Sequence, residues 1–469
     1  MAEAVTTPTP SILDTIVAHR RARIAQEFAD LDVAQLAAQL TPSTRSLAAA
    51  LAQPDSGFIL ECKKASPSKG LLRPDFDPVQ IAKVYQRYAA AISVLTEPDY
   101  FHGDFAYLSA VSASVNIPVL CKDFIVEPIQ VLLARHYGAD AILLMLSVLD
   151  DASYRELAEL AARYELDVLT EVSTEQELQR AQQLGAKIVG INNRNLHDLS
   201  IDPERSKVLS QQLANDVIVV AESGYSDHAA IRDAAPYVDG FLVGSALTAQ
   251  PNIDQACREL IYGAHKVCGL NRPSDAQVVH AAGAAYGGLI FVPQSPRAVD
   301  LAQAQHIISA APQLAWVGVF ANHPLQNVID HAQQLQLAAV QLHGHEDADY
   351  VHQLRQGLPS NCQVWYAVSV ENPVYLPPVD CDRYLLDNRS GGSGETFDWR
   401  LLQQLDAATL ARCTLAGGLS LANLAQAQAT AIQRFDFNSG VERRKGEKDP
   451  GKILQLFQRI RQYGNAHHE

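Results

Sequence analysis

The sequence predicts an α/β protein made of two fused (β/α)8 barrels. Short runs rich in Val, Ile and Leu recur along the chain and alternate with segments of helical periodicity. Each half of the chain contains eight such runs, and this alternation is typical of parallel strands covered by helices. An open doubly wound sheet is the alternative, but KKASPSKG follows the first strand where that fold usually has a GxGxxG turn.

The first barrel is predicted within residues 1–258 and the second within 259–469, joined near 255–264 without a Gly/Ser/Pro linker. The predicted strands of the first barrel are 58–65, 91–97, 117–124, 141–148, 167–172, 187–194, 217–224 and 240–247. Those of the second are 265–270, 286–292, 316–320, 339–344, 363–370, 383–388, 414–419 and 434–442. Apolar residues near helical spacing before the first strand predict additional helices that cap the first barrel.

Composition and charge exclude several classes of protein. The 469 residues are 48% hydrophobic and 19% charged, which is ordinary for a globular protein and argues against disorder. The net charge is −15, so we expect neither nucleic acid nor a membrane as a main partner. Seven cysteines without a CxxC pair fit a reducing cytoplasm. No signal peptide is evident, and the longest apolar stretch, AILLMLSVL, is too short to span a bilayer.

Charged residues end three odd-numbered strands of the first barrel. Glu61 and Lys63 share a face at the end of strand one, Lys122 ends strand three, and Glu171 ends strand five. Interior layers of such a barrel take side chains from alternate strands, so these four can converge at the mouth and act as acids and bases. Asn192 and Arg194 at the end of strand six add an amide and a guanidinium. Interior salt bridges and a surface pair are the simpler interpretations.

A glycine pattern repeats between the two halves. AESG is followed by a GS pair in the first half, and LAGG by NSG in the second. The same number of residues separates Gly224 from Ser245 and Gly418 from Ser439. Phosphate commonly binds at the loops after strands seven and eight of such barrels, where glycine lets backbone N–H groups approach. We therefore expect a phosphate site in each half, although ordinary strand-ending turns remain the alternative.

Six motifs of the first half occur in order at strand ends: ILECKKASPSKG, LCKDF, LTEV, VGINNRNL, AESG and GFLVGSAL. Together they resemble indole-3-glycerol-phosphate synthase over about residues 1–258. The resemblance implies closure of an indole ring on a carboxyphenylamino-deoxyribulose phosphate, with loss of carbon dioxide and water. That chemistry requires neither a redox cofactor nor a metal.

The resemblance also implies roles for individual residues. Lys122 matches the general acid, with Lys63 as a competing candidate, and Glu171 matches the base of the later dehydration. Glu61 matches a supporting catalytic residue, and Asn192 matches the catalytic amide. The implied substrate contacts are Phe124, Arg194, Glu222 and Ser223. The implied phosphate cradle is Ser66, Gly224, Gly244 and Ser245.

The second barrel carries a candidate base and acid. Lys266 and Cys268 share a face of its first strand, and a neighbouring ammonium is expected to lower the thiol pKa. Asp387 ends strand six, before the loop SGGSGETFDW. A structural cysteine and a helix-capping Asp are the simpler interpretations. His343 and His345 form a short pair without an evident third ligand, so we expect no metal site.

The motifs KVCGL, GLIFVPQSPR, VQLHG, LLDN with GGSGETFDW, AGGL and DFNSGVE resemble phosphoribosylanthranilate isomerase over about residues 264–462. The resemblance implies an Amadori rearrangement, with Cys268 as base, Asp387 as acid, Arg297 on the anthranilate carboxylate and His343 in the pocket. The implied phosphate-binding loops contain Gly391, Gly392, Gly417, Gly418, Ser439 and Gly440. Tyr366 stands where many relatives carry Lys, which affects local packing or substrate affinity.

Together the two resemblances imply one bifunctional enzyme of tryptophan biosynthesis that acts on small phosphorylated substrates. We expect no cofactor and a location in the cytoplasm. We also expect a monomer, because the fusion already supplies a partner barrel. Two alternatives remain. One is a phosphosugar aldolase with Lys122 or Lys63 as a Schiff base. The other is a non-catalytic phosphosugar-binding protein.

Overall fold

The computed structural model of the protein describes residues 11–195, 199–388 and 396–464. The chain forms two compact units. The first comprises the described residues within 11–226, 230–253 and 462–464, and the second those within 227–229 and 254–461. Within the described residues, no helix has the length and apolarity needed to cross a membrane.

The first unit contains a closed barrel of eight parallel strands. Each strand pairs with its neighbours along the chain, and the first pairs with the eighth from Gly57 opposite Gly240 to Leu60 opposite Val243. The strands are β1 (Gly57–Cys62), β2 (Ala91–Leu95), β3 (Val119–Lys122), β4 (Ala141–Met145), β5 (Asp167–Val172), β6 (Ile188–Asn192), β7 (Ile218–Glu222) and β8 (Gly240–Val243). The predicted barrel is confirmed, but most strands end earlier than predicted because the chain turns into loops at the barrel mouth.

Three helices precede β1, as the apolar spacing predicted. They are α1 (Ile12–Glu27), α2 (Val33–Gln39) and α3 (Leu47–Leu51). Ser11 caps α1 through a capping box with Asp14, which satisfies backbone N–H groups at the helix start. Leu13 of α1 and Leu47 of α3 pack into the apolar cluster that fills the barrel, so these helices cap its core.

The remaining helices of the first barrel follow its strands. They are α4 (Pro78–Tyr85), α5 (Phe105–Ser114), α6 (Pro128–His136), α7 (Asp151–Arg163), α8 (Glu175–Gln183), α9 (Glu204–Ser210), α10 (His228–Ala234) and α11 (Ser245–Thr248). A short antiparallel hairpin, Ala65–Ser66 with Gly70–Leu71, lies in the loop after β1. Val, Ile and Leu cover both faces of the strands, because side chains point both into the barrel and toward the helices.

The second unit repeats this architecture. Its parallel strands are β9 (Lys266–Val267), β10 (Tyr286–Ile290), β11 (Ala315–Phe320), β12 (Ala339–Leu342), β13 (Gln363–Ser369), β14 (Arg383–Asp387), β15 (Cys413–Leu415) and β16 (Asp436–Phe437). β9 pairs with β16, and the backbone N–H of Leu415 donates to Arg434 O at 2.8 Å, next to a bridge between Leu415 and Phe435. These contacts close the second barrel, as predicted.

Helices also cover the second barrel. They are α12 (Ile253–Tyr262), α13 (Pro273–Ala282), α14 (Leu301–Ala310), α15 (Leu325–Gln334), α16 (Ala348–Gly357), α17 (Ala407–Leu410), α18 (Leu424–Gln428) and α19 (Pro450–Arg461). Short 3₁₀ helices lie at Trp399–Gln404 and Ser439–Val441. Two further short strands, Glu442–Arg444 and Glu447–Lys448, pair as an antiparallel hairpin before α19. One large apolar cluster joins these helices to the outer face of the strands.

Candidate active sites

A cavity of about 400 Å³ lies at the carboxyl ends of the strands of the first barrel. Most residues predicted for this site line it: Glu61, Lys63, Ser66, Lys122, Phe124, Glu171, Asn192, Arg194, Ser223, Gly224, Gly244 and Ser245. Side chains from several strand ends converge here because parallel strands of a closed barrel all end at the same rim.

A network of charges forms the floor of this cavity. Glu61 contacts both lysines, with its carboxylate oxygens 2.8 Å from Lys63 Nζ and 3.1 Å from Lys122 Nζ. Lys122 also lies 3.3 Å from a carboxylate oxygen of Glu222. Asn192 donates to Glu171 at 3.1 Å. The four acidic and basic groups predicted from strands one, three and five therefore meet in one place.

Burial and neighbouring charges move the pKa values of these groups apart. Burial raises the pKa of Glu61, but Lys122 and Lys63 outweigh it and lower that pKa to about 2. Burial disfavours the Lys122 ammonium, yet Glu61, Glu222 and Glu171 raise the pKa of Lys122. Burial, followed by repulsion from Glu222, raises the pKa of Glu171 to about 8. The cavity thus holds a lysine that stays charged and a carboxyl group that titrates near neutrality.

Glu222 was predicted as a substrate contact, and the structure shows that it is also an ion-pair partner of Lys122. It is 1% exposed, belongs to β7, and lies beneath Lys122. Gly190 on β6 makes room for it, because a Cβ there would lie 2.2 Å from a Glu222 carboxylate oxygen. The rule that predicted convergence of strands one, three and five applies equally to strand seven. AESG was the available signal, and it predicted Glu222 as a substrate contact but not as a partner of Lys122.

The predicted phosphate cradle also lines the cavity. Gly224 has φ +94°, and Gly244 immediately precedes the first turn of α11 at Ser245. A Cβ at Gly244 would lie 2.4 Å from a Glu61 carboxylate oxygen, so the close approach requires glycine. The buried Ser66 hydroxyl has no hydrogen-bond partner among the described residues and is free to contact a ligand.

Further cavity residues were not predicted as site residues. Ile12, Leu13 and Ile16 of α1 form part of the wall, although the sequence indicated only that α1 caps the barrel. Phe101 also lines the cavity, and its ring lies 5.7 Å from Lys63 Nζ. These apolar side chains offer a surface for an aromatic ring. Their spacing in the sequence does not distinguish them from ordinary core residues.

A second cavity, of about 240 Å³, lies at the carboxyl ends of the strands of the second barrel. The predicted residues that line it are Cys268, Arg297, His343, Asp387, Gly417, Gly418 and Ser439. Gly440 follows Ser439 in the same 3₁₀ turn. The predicted Gly391 and Gly392 lie outside the described residues.

The candidate base of this cavity is a buried thiol. Burial raises the pKa of Cys268, although Lys266 favours the thiolate. Lys266 thus lowers the thiol pKa as expected, but burial outweighs it, so that pKa is raised overall in the unliganded protein. Part of the reason is that the Lys266 ammonium also contacts Asp436, with Nζ 2.5 Å from Oδ2. Asp436 lines the cavity and was not predicted as a site residue.

The candidate acid, Asp387, lines the same cavity as Cys268. Burial raises the pKa of Asp387, and His343, 3.7 Å away, only partly opposes this effect. Burial lowers the pKa of His343, which favours the neutral imidazole. A carboxyl group with a raised pKa beside a neutral imidazole is suited to donate a proton.

Arg297 is already paired in this structure. Its Nε and Nη2 donate to the two carboxylate oxygens of Glu442 at 2.7 and 2.8 Å. Lys448 also donates to Glu442, at 3.0 Å. Glu442 therefore holds two of the guanidinium nitrogens and fixes the direction of Arg297, so contact with a substrate carboxylate remains a prediction.

Glycines again shape the phosphate side of the cavity. Gly417 and Gly418 have φ +79° and +62°. A Cβ at Gly440 would lie 2.0 Å from the Leu419 carbonyl oxygen, so the two loops touch through backbone. Tyr366 lies outside the cavity lining and donates to the Glu346 carbonyl oxygen at 2.8 Å. Across the described ranges, no group of three or more His, Cys, Asp and Glu side chains is arranged to hold a metal ion.

Comparison with known proteins identifies both halves. The family model for indole-3-glycerol phosphate synthase matches residues 13–260, and that for N-(5'-phosphoribosyl)anthranilate isomerase matches 265–459. The tryptophan biosynthesis protein TrpCF of Salmonella typhi is 49% identical over 97% of this chain and 100% of its own. The TrpCF protein of Vibrio cholerae is 50% identical over 96% of each chain.

A solved phosphoribosyl anthranilate isomerase from Thermus thermophilus is 32% identical, with a TM-score of 0.39 over 42% of this chain and 97% of its own. The family models and the TrpCF relatives together account for the whole length of both barrels. The chain therefore belongs to the family of bifunctional tryptophan-biosynthesis enzymes that combine indole-3-glycerol phosphate synthase with N-(5'-phosphoribosyl)anthranilate isomerase.

Proposed function

We propose that the residues of the second cavity carry the isomerase reaction of this enzyme and those of the first cavity the synthase reaction. The isomerase converts N-(5-phosphoribosyl)anthranilate to carboxyphenylamino-deoxyribulose phosphate by an Amadori rearrangement. The synthase closes the indole ring on that product, with loss of carbon dioxide and water. The order of the two activities along the chain is opposite to the order of the reactions.

In the isomerase site, Asp387 protonates the ring oxygen of the sugar and opens it to an imine. The Cys268 thiolate then removes the proton on the carbon next to the imine carbon, and the resulting enamine becomes the ketose. The raised pKa of Asp387 supports its role as the acid. Arg297 holds the anthranilate carboxylate, His343 lies against Asp387, and the loops at Gly417, Gly418, Ser439 and Gly440 hold the phosphate.

In the synthase site, the Lys122 ammonium protonates the carbonyl or departing hydroxyl oxygen while the ring closes. Glu171 removes the proton of the later dehydration, and the pKa of about 8 supports this role because a base near neutrality can both take and release a proton. Glu61 holds Lys122 and Lys63 in place. Asn192 orients Glu171. The proposed substrate contacts are Phe124, Arg194, Glu222 and Ser223, and the phosphate binds at Ser66, Gly224, Gly244 and Ser245.

One observation carries this proposal. In each barrel an acid and a base lie at the carboxyl ends of strands, in the same cavity as a glycine cradle. Both substrates of the family carry one phosphate and one aromatic carboxylate, so the same cradle can serve both reactions. The cavities differ in the groups beside the cradle, and that difference supports the proposal of one reaction for each cavity.

Two single substitutions test the separation of the sites. Cys268→Ala is expected to lower isomerase kcat at least about 100-fold with synthase activity unchanged, and Lys122→Ala to do the reverse. Freshly generated phosphoribosylanthranilate reports the isomerase through loss of fluorescence, and added carboxyphenylamino-deoxyribulose phosphate reports the synthase through indole absorbance. If either substitution removed both activities from a folded protein, the assignment of one reaction to each cavity would be wrong.

We propose further that the enzyme acts as a monomer, in the cytoplasm and without a cofactor, with one domain in residues 1–258 and the other in 259–469. Light scattering after size-exclusion chromatography is expected to give the mass of one chain, and twice that mass would contradict a monomer. A lysine adduct trapped by borohydride on Lys122 or Lys63 would favour the aldolase alternative.

A further inference from the structure

A buried lysine lies beside the candidate base of the isomerase site, and the proposed mechanism does not use it. Lys266 is 1% exposed and precedes Cys268 by two residues, so both side chains point to the same side of the strand. A buried ammonium is costly unless it is paired, and Lys266 pairs with Asp436 at 2.5 Å. Lys266 does not line the cavity, whereas Cys268 and Asp436 do.

The neighbouring strand leaves space for both side chains at one residue, Gly288 of β10. A Cβ at this position would lie 2.8 Å from Cys268 Sγ and 2.8 Å from Lys266 Cε. The thiol and the lysine stem therefore pack side by side against a bare stretch of backbone. This packing fixes the ammonium next to the sulfur.

The other charged groups around the sulfur are held elsewhere. Lys448 donates to Asn438 and Glu442, and Arg297 donates to Glu442. His343 Nε2 lies 3.7 Å from a carboxylate oxygen of Asp387. Lys266 is thus the cation that acts most strongly on Cys268, and Asp436 acts on the sulfur in the opposite sense.

We propose that Lys266 is a positioning residue for the isomerase: it orients the Cys268 thiol and stabilises its thiolate, and Asp436 limits that stabilisation. The inference rests on the proposed role of Cys268 as the base. Removing the ammonium leaves a buried sulfur next to a carboxylate, where the thiolate is disfavoured. Neutralising the carboxylate leaves the ammonium to act on the sulfur alone.

The test is the rate at which iodoacetamide alkylates Cys268 in the unliganded full-length enzyme between pH 6 and 10, measured by peptide mass spectrometry. Only the thiolate reacts, so the rate follows its population. Cys268 is the cysteine that lines a described cavity, and the other six are buried elsewhere, so the modified peptide identifies the site. The measurement is made without substrate because Asp436 also lines the cavity, so its substitution can change substrate binding as well as the thiol.

The two variants are expected to move the rate in opposite directions. Lys266→Met lowers the rate at pH 8 about tenfold or more, and Asp436→Asn raises it about tenfold, which corresponds to about one pKa unit each way. The basic limb of the isomerase pH profile is expected to move to higher pH in Lys266→Met and to lower pH in Asp436→Asn. Lys266→Arg, which keeps the charge, restores part of the alkylation rate.

Arg383→Met is the matched control, since it removes a positive side chain from the opposite end of the same barrel, at the start of β14. It is expected to leave Cys268 alkylation unchanged. The double variant Lys266→Met/Asp436→Asn removes both charges, so no unpaired buried charge remains to prevent folding. Its alkylation rate is expected to fall between those of the single variants.

A rate that is unchanged in both single variants, or that falls equally in both, would overturn the proposal, because a purely structural pair has no opposite signs. Failure of the proposed function is seen separately. If Cys268→Ser kept full isomerase activity, Cys268 would not be the base, whereas the alkylation rates would still measure what Lys266 and Asp436 do to its thiol.

Discussion

The two cavities share a scaffold and differ in their charges. In the first, Glu61, Lys122, Glu171 and Glu222 come from β1, β3, β5 and β7. Ion pairs link Lys122 to Glu61 and Glu222, and Glu171 lines the same cavity. In the second, Cys268 and Asp387 stand at the ends of the first and sixth strands without a direct ion pair between them. The first cavity has about 400 Å³ and the second about 240 Å³.

The difference agrees with the proton transfers that we propose for each site. Ring closure, loss of carbon dioxide and loss of water require an acid and a base at separate oxygen and carbon atoms, and we propose that the charge network supplies both. The isomerisation needs one acid and one base at adjacent atoms of a sugar. The shared features are the glycine loops near strands seven and eight, where we propose that the phosphate of each substrate binds.

The largest expected effect in the comparison is on the acid–base network of the first cavity. Glu171→Gln is expected to lower synthase kcat about 100- to 10,000-fold, because a general base contributes that much. In the unchanged enzyme, synthase kcat/KM rises with pH through about 8, since the active form of Glu171 is ionised. The measurement is initial rates of indole formation between pH 6 and 10.

Glu222→Gln is the companion variant. Removing its charge takes away a repulsion that raises the pKa of Glu171, so the rising limb is expected to move to lower pH. Isomerase activity in the same preparations serves as the control, and it is expected to be unchanged in both variants. A limb that stayed in place in Glu171→Gln would show that another group titrates there.

A smaller effect is expected at the two glycine cradles, where the comparison can be made directly. Gly440→Ala places a Cβ 2.0 Å from a backbone carbonyl, and Gly244→Ala places one 2.4 Å from the Glu61 carboxylate. Overpacking of this kind costs about 1–3 kcal/mol unless the loop shifts, and a shifted loop no longer presents its backbone N–H groups to the phosphate in the same way. Gly440→Ala is expected to raise KM of the isomerase and Gly244→Ala that of the synthase.

Gly185→Ala separates crowding from backbone strain. Gly185 has φ +72°, but nothing lies within 4 Å of its added Cβ. It is expected to lose some stability to unfolding and to keep both KM values. A rise in synthase KM in Gly185→Ala equal to that in Gly244→Ala would mean that a general loss of stability, and not crowding at the cradle, is responsible.

The smallest expected effect is at Tyr366. Tyr366→Phe removes one hydrogen bond to the Glu346 carbonyl, which is worth about 1 kcal/mol, and leaves the cavity lining intact. We expect isomerase kcat/KM to stay within about threefold, with a small loss of stability in urea. Tyr384→Phe, which removes a hydrogen bond to Pro377 O, is the control. A tenfold fall specific to Tyr366→Phe would place this residue in the isomerase machinery.

Much of the site could be predicted from strand ends alone. Glu61, Lys122 and Glu171 each end a predicted strand, and parallel strands of a barrel must end at one rim, so their convergence followed from periodicity. Glu222 satisfies the same rule. Its ion pair with Lys122 could not be predicted from the motif, because the two residues lie far apart in the sequence and only folding brings them together.

The sequence by itself determined the two barrels, the glycine loops at their seventh and eighth strands, and many of the residues that reach each mouth. These properties depend on local periodicity and on the closure of the barrel. Only the tertiary structure decided the protonation of those residues. Lys266 was expected to lower the pKa of the Cys268 thiol. Its ammonium also pairs with Asp436, which is remote in sequence, and burial of the thiol raises that pKa. A pKa depends on the distances to all charges and on the exclusion of water, and folding sets both.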